Sequence, residues 1–579
     1  MLDLRIRGGN VVDGTGAPGR TADVGVKGGR IVAVGKVNEP ARRTIDADRL
    51  VVAPGIVDIH THYDAQLCWD PYATPSPLHG VTTVIAGNCG FTMAPAEPED
   101  REYLSRLMSR VEGMPLLSLT EGVPWDWRTF AEYLGRFDGH LGVNAGFVVG
   151  HTTVRRRVMG PDTERAATAE EVAAMVRHFH EGMDAGGLGL STSVSPTHND
   201  ADGRPVPSRF AERAEMLALC RAVRDHPGTT LEIVPPPGRF SDELVALMTD
   251  MSVTADRPIN WNLLNVSKAM AADTEQRLSA YEHAAARGGC ILGLVLPDAT
   301  SMRLNFMSGF LLDALPVFSQ LFELEPAERV RALASPEVRA LLRRSEHTAR
   351  GRALYYIVDW GGLTIEQTFA PSNSGLRGRS VAAIASERGV DPLDALLDVV
   401  VADELRTVIT TPFRGADEES WQLRRQAVRD HRTIPGGSDS GAHLDMLDTF
   451  TLATRLLGPT VRDRGLFGLE EAVHLMTGAP AALYGLTERG RIVEGAWADL
   501  FVFDSETIDA GPVSVRNDLP GGASRLYGEA VGVHHVVVNG EEIVAGNQLT
   551  GALPGRVIRS GRDTRTVTAA EALTGDWRR

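Results

Sequence analysis

The sequence predicts an α/β protein with a parallel βα barrel at its centre and a small β unit assembled from its two ends. Three observations predict it. Apolar runs of strand length alternate with helically patterned stretches through the middle of the chain, the signature of a parallel sheet built from βαβ units. Short β-rich runs closed by Gly-rich turns occupy both termini. The chain has 579 residues, more than one compact core usually organises, so a large domain plus a smaller unit is expected.

Taken in order, residues 4–7, 10–12, 24–27 and 30–34 read as short strands separated by Gly-rich turns. Strand candidates follow at 81–86, 143–149, 229–234, 259–264, 291–296 and 363–369, with helical spacing of apolar residues at 169–183, 211–224 and 469–476. A βα barrel of about 250 residues fits here with room for an insertion, placed at 302–349. Its Glu-, Arg- and Leu-rich part, 323–350, reads as helix, either with a solvated face or as a lid. Short β runs return at 498–503 and 533–540 and are expected to pair with the N-terminal ones. The expected limits are 1–54 and 488–560 for the two parts of the β unit, 55–487 for the barrel, and 561–579 for a tail.

Composition excludes several function classes. A formal charge of −16 disfavours a general nucleic-acid or anionic-membrane binder. The N-terminus lacks a basic segment followed by an apolar run, and no stretch supplies about 18 uncharged apolar residues, so a cytoplasmic protein is expected. Cys68, Cys89, Cys220 and Cys290 form no CxxC pair and read as free thiols.

Chemistry concentrates in three places. The segment 53–62 is an apolar strand ending in His60 and His62, and side chains at i and i+2 of a strand share a face, so both imidazoles can meet one ion. Cys89 follows the apolar run 81–85 in Gly87-Asn88-Cys89-Gly90-Phe91, where a thiolate would ligate zinc and a thiol would be a buried filler. Asp439, in Ser438-Asp439-Ser440-Gly441-Ala442-His443, suits a carboxylate that ligates an ion and exchanges protons with its water, or an Asx turn.

Together these motifs resemble the amidohydrolase superfamily and, within it, the N-acyl-D-amino-acid deacylase (D-aminoacylase) family. The resemblance runs through Gly9–Gly16, His60-Thr61-His62-Tyr63-Asp64, Gly80-Val81-Thr82-Thr83-Val84, Val149-Gly150-His151-Thr152, Gly189-Leu190-Ser191-Thr192-Ser193, Met476-Thr477-Gly478-Ala479-Pro480 and Gly490-Arg491-Ile492-Val493-Glu494-Gly495-Ala496-Trp497-Ala498-Asp499-Leu500. It implies a (β/α)8 TIM-like barrel with a small β-sandwich domain built from both termini. It further implies that His60, His62, Cys89 and Asp439 are metal ligands.

The family supplies two further histidines, from the fifth and sixth barrel strands. Here the fifth-strand region offers only Glu232, and Val266 stands where the sixth-strand histidine is expected, while Lys268 keeps a family lysine. One divalent ion, Zn2+, held by His60, His62, Cys89 and Asp439 is therefore expected, with Glu232 a weaker candidate ligand. His151 and Lys268 are candidate substrate contacts, with a core histidine and a surface ammonium as the plain alternatives. Arg377 is a candidate clamp for a substrate carboxylate, or an exposed loop arginine. His198 and Asn199 lie in a polar loop of the kind that lines a barrel mouth.

The expected reaction is hydrolysis of an amide-type C–N bond in a small-molecule substrate such as an N-acyl-D-amino acid, with Asp439 as proton acceptor. The competing expectations are a cyclic amide or imide ring opener and a barrel that only binds. No nucleic-acid or membrane partner is expected, and a homo-oligomer is compatible with the sequence.

Overall fold

The computed structural model describes residues 1–299, 302–307, 309, 312, 315, 317–322, 324–349, 359–412 and 415–578. β1 (Leu2–Val11) alternates buried with part-exposed residues along most of its length, as a strand with one face on a core does. It pairs antiparallel with β2 (Arg20–Lys27), which carries β3 (Arg30–Gly35), and parallel with β4 (Ala41–Asp46) and β5 (Val51–Pro54). The runs expected at 4–7 and 10–12 are thus one strand, with a register shift between Ile6 and Gly9.

The parallel strands come next. β6 (Ile56–Asp58), β7 (Val81–Ala86) and β8 (Asn144–Phe147) pair in that order, and β9 (Val149–Gly150) follows β8 after one residue. From β9 the parallel order continues through β10 (Gly189–Ser193), β11 (Thr230–Val234), β12 (Ile259–Leu264) and β13 (Ile291–Val295). Every residue of β7, β10, β11 and β13 is buried, which is why they read as unbroken runs rather than as alternation. Helix Ala169–Asp184, expected from its spacing, begins with a Thr168/Glu171 capping box.

β14 (Arg303–Leu304), β15 (Thr364–Gln367) and β16 (Val408–Thr410) form a small antiparallel sheet in a second compact unit, residues 299–416 with 445–447. The expectation for 363–369 is corrected here: β15 pairs antiparallel with β16 and has one buried residue, Ile365, so it lies outside the parallel set. Residues 302–349 fall within this unit, where helices Pro326–Ala334 and Pro336–Ala349 occupy most of the stretch read as helical; Glu323 and Arg350 lie outside the described residues. Leu304, Phe306, Trp360, Ile365, Leu396 and Ile409 belong to its core.

β17 (Thr433–Pro435) returns to the first unit and pairs parallel with β13; downstream, Ser440 forms a parallel bridge with Thr61. β18 (Leu500–Phe503) pairs antiparallel with β5, so both ends of the chain share one nine-stranded sheet. β19 (Asp509–Arg516) and β20 (Arg525–Val531) form a hairpin, β21 (Val533–Val538), β22 (Glu541–Ala545) and β23 (Gln548–Leu549) extend the shared sheet, and β24 (Val557–Ile558) pairs with β8. Leu4, Ile6, Val24 and Val52 from the N-terminal strands pack with Leu500, Val502 and Val537 from the C-terminal ones. Among the described residues no helix is long and apolar enough to cross a membrane.

Candidate metal centre

His60 and His62 lie just beyond β6. Thr61 between them donates its N–H to the Ile85 carbonyl (3.0 Å), and His62 donates its own to Ser440 (2.7 Å), which keeps the chain extended and sends both imidazoles to one side. Both rings are buried, their centroids 5.4 Å apart.

Cys89 reaches the same place from the turn after β7. Its Sγ lies 3.5 Å from His60 Nε2 and 3.6 Å from His62 Nε2. Asp439 arrives from beyond β17, with Oδ1 3.1 Å from His62 Nε2 and 3.5 Å from His60 Nε2. Cys89 (φ 59°) and Asp439 (φ 58°) both adopt left-handed backbone, a conformation costing non-glycine residues about 1–3 kcal/mol each that surrounding contacts must hold. For Asp439 those contacts include its N–H to the His60 carbonyl (3.1 Å) and the preceding Ser438, whose hydroxyl donates to Asp58 (2.5 Å). Gly441 (φ +91°) completes the turn; a Cβ there would come within 2.6 Å of the His62 carbonyl carbon.

The donors suit a metal ion. His60, His62 and Cys89 each offer an atom within 4.8 Å of the others. A tetrahedral zinc, with bonds of about 2.05 Å to nitrogen and about 2.3 Å to sulfur, separates N and S ligands by about 3.6 Å, which matches the two sulfur–nitrogen distances, 3.5 and 3.6 Å. His60 Nδ1 and His62 Nδ1 are buried with no hydrogen-bond partner among the described residues, and each faces a buried carboxylate instead. Glu232 Oε1 is 4.0 Å from His60 Nδ1, and Glu112 Oε2 is 3.5 Å from His62 Nδ1.

The electrostatics are those of a crowded anionic pocket. Burial works against charge on Asp439, but hydrogen bonds with His60 and His62 hold its carboxyl well below the usual carboxylate range. Burial alone would lower His62; Glu112, Asp439 and Asp64 instead push it up to about 10. Burial raises Glu112 and Glu232 to about 8 each, and raises the Cys89 thiol. A cation here would displace the proton that His62 holds and favour the thiolate.

The remaining sequence candidates sit elsewhere. His151 is buried between Thr192 Oγ1 (2.9 Å) and Glu215 Oε1 (2.8 Å), and Glu215 also accepts from Arg155 Nε (2.9 Å). Lys268 is 64% exposed and pairs with Glu419 at 2.6 Å. Arg377 is exposed in the second unit. Val266 is buried, with its carbonyl accepting from Arg424. His198 hydrogen-bonds Ser193 (2.8 Å), and Asn199 accepts from Arg209 (2.7 Å).

Sequence reasoning passed over three residues at the centre. Glu112 stands at the end of helix Arg101–Val111, where nothing in the local sequence marks it. Asn262, on β12, brings Nδ2 to 3.1 Å from His60 Nε2, and no local sequence pattern marks it. His443 stands with Nε2 3.7 Å from Asp439 Oδ2, and its i+4 spacing from Asp439 was visible.

Comparison with known proteins places the chain in a family. The pattern of the amidohydrolase family matches residues 43–544, and a D-aminoacylase of Alcaligenes xylosoxydans xylosoxydans is 30% identical over 562 residues, 96% of this chain and 97% of its own. The chain therefore belongs to the amidohydrolase family, as a metal-dependent hydrolase acting on C–N bonds. Within it, this chain is similar to an N-acyl-D-aspartate deacylase of the same organism (28% identical; 97% of this chain, 96% of the relative) and to a crystal structure of D-aminoacylase (29% identical, TM-score 0.64; 96% of this chain, 100% of that one). A second D-aminoacylase structure (29% identical, TM-score 0.63; 96% and 100% covered) concerns a binuclear metal centre with one-metal activation and second-metal attenuation.

Proposed function

We propose that this chain hydrolyses the amide bond of N-acyl-D-amino acids with a single Zn2+ held by His60, His62, Cys89 and Asp439. The observation that carries the reading is the cluster of two buried imidazoles and a thiol at tetrahedral spacing, with Asp439 against both histidines. The named activities of the D-aminoacylase and N-acyl-D-aspartate deacylase relatives support the substrate class. One ion rather than two is supported by what stands in place of the further histidines: Glu232, whose Oε2 accepts the Cys89 N–H at 3.0 Å, and Val266, turned into packing. The parallel strand order from β6 to β17 and the Thr61–Ser440 bridge support a (β/α)8 barrel, and the shared terminal sheet supports a small β-sandwich built from 1–54 and 488–560. Within that scheme 55–487 is the barrel, carrying an insertion around 302–349, and 561–579 is a tail.

When bound, the ion supplies Lewis-acid polarisation of the carbonyl and lowers the pKa of a water molecule. Asp439 would receive the water's proton on its carboxylate and deliver it to the departing amine nitrogen. Cys89 acts as a donor, with no nucleophilic role. The exposure of Lys268 and Arg377 lends neither a part in this reading.

The test combines metal analysis of the purified chain with a panel of N-acyl-D-amino acids, their L enantiomers and cyclic amides. One zinc per chain and two products from an N-acyl-D-amino acid are expected, with activity lost on chelation and restored by one equivalent of Zn2+. Two tightly held ions would reject the single-metal site; a single ring-opened product from a cyclic amide would reject the deacylase assignment.

A further inference from the structure

We infer that Glu112 is a positioning residue of the metal centre, holding the His62 imidazole and the Asp439 turn in register with each other; this rests on the metal site proposed above. The side chain of Glu112 is 3% exposed, and its Oε2 lies 3.5 Å from His62 Nδ1. That is the ring nitrogen remote from the cluster: His62 Nε2 is the atom that faces Asp439 Oδ1 (3.1 Å) and Cys89 Sγ (3.6 Å). The Glu112 carboxyl group thus stands directly behind the imidazole on the side away from the cluster, where it limits rotation of the ring and keeps Nε2 turned to the other donors.

The same residue grips the other half of the site through its backbone. The Glu112 carbonyl accepts the His443 N–H at 2.5 Å, and His443 lies against Asp439, Nε2 to Oδ2 3.7 Å. The next residue, Gly113 (φ +60°), allows this approach, since a Cβ there would stand 3.1 Å from His443 Cα. One residue at the end of helix Arg101–Val111 therefore meets the ligand beyond β6 with its side chain and the turn beyond β17 with its main chain. Glu232 behind His60 is built differently: its Oε1 is more distant, 4.0 Å from Nδ1, and its other oxygen is engaged by the Cys89 N–H.

The experiment uses the full chain and its Glu112→Gln and Glu112→Ala variants, titrated with Zn2+ against a chromophoric chelator, with the absorption spectrum of each Co2+-substituted form. Glu112→Gln preserves size and an acceptor oxygen, so it guards against a variant that merely fails to fold. Loss of zinc affinity of about 10–100-fold is expected, greater for Ala than for Gln, with a displaced Co2+ spectrum in both. Wild-type zinc affinity within twofold in Glu112→Gln, with an unaltered Co2+ spectrum, would overturn the inference and leave the metal site standing. A wild-type chain that binds no metal would overturn both.

Discussion

Replacing Arg489 by Leu should destabilise the first unit by about 3–5 kcal/mol, the cost of stranding a buried charge whose partner has been removed. Arg489 and Asp499 form a salt bridge with side chains only 2% and 4% exposed. Asp499 also accepts from Asn144 Nδ2 (3.1 Å) on β8 and from the Asn539 N–H (2.8 Å), while Arg489 donates to Asn539 Oδ1 (3.0 Å). The pair thus joins the end of the chain to the parallel strands. At about 2 cal/mol/K of unfolding entropy per residue, a cooperative unit of several hundred residues has an entropy near about 1 kcal/mol/K, so the midpoint should fall by about 3–5 °C. Thermal unfolding followed by circular dichroism at a fixed scan rate measures it. Asp499→Leu should fall similarly, and the double variant should fall by less than the sum of the singles, because replacing both partners removes the stranded charge while leaving the Asn144 and Asn539 groups unpaired. Singles shifted by less than about 1 °C, or a double variant as low as the sum of the singles, would refute the reasoning.

Asp439→Asn should lower kcat by about 10²–10⁴-fold while changing KM little, as expected for loss of a proton acceptor acting in the transition state; steady-state kinetics showing a KM effect alone would contradict it. His79 is buried, with contacts to Thr454 Oγ1 (2.8 Å) and the Gly528 carbonyl (3.1 Å), and burial pushes it down to about 4 from an ordinary 6.5. Between those values the unfolded chain binds the extra proton, so stability rises with pH across the window and about 3 kcal/mol is lost as pH falls from 6.5 toward 4. His79→Gln should flatten the pH dependence of the melting midpoint; slopes parallel to wild type would dismiss the assignment. Glu232→Gln should leave zinc stoichiometry at one per chain, since an amide oxygen can still accept the Cys89 N–H; complete loss of the ion would make Glu232 a ligand rather than a partner of His60.

β7, β11 and β13 are buried on every residue and were legible as unbroken apolar runs, and the extended segment beyond β6 displays His60 and His62 at the spacing that lets both face one ion. β15 misled because its sequence is equally β-like, while its burial pattern, which composition does not encode, belongs to an antiparallel sheet of the second unit. Cys89 and Asp439 could be singled out because glycines beside them announce turns. Glu112 could not: its contact with His62 spans fifty positions of chain and depends on where helix Arg101–Val111 ends, which no local pattern specifies.

The same distinction bears on the positions where the family's further histidines are replaced. A histidine offers one lone pair to an ion, whereas Glu232 divides its two oxygens, Oε2 to the Cys89 N–H and Oε1 toward His60 Nδ1. Its hydrogen bond to Cys89 holds that turn, while Oε1 stands 4.0 Å behind His60. Asn262, on β12, donates Nδ2–H to His60 Nε2 at 3.1 Å, a hydrogen bond that an ion at that nitrogen would displace. Under the proposed reading the site keeps donors for one ion, so affinity at that position should depend on Glu112 behind His62.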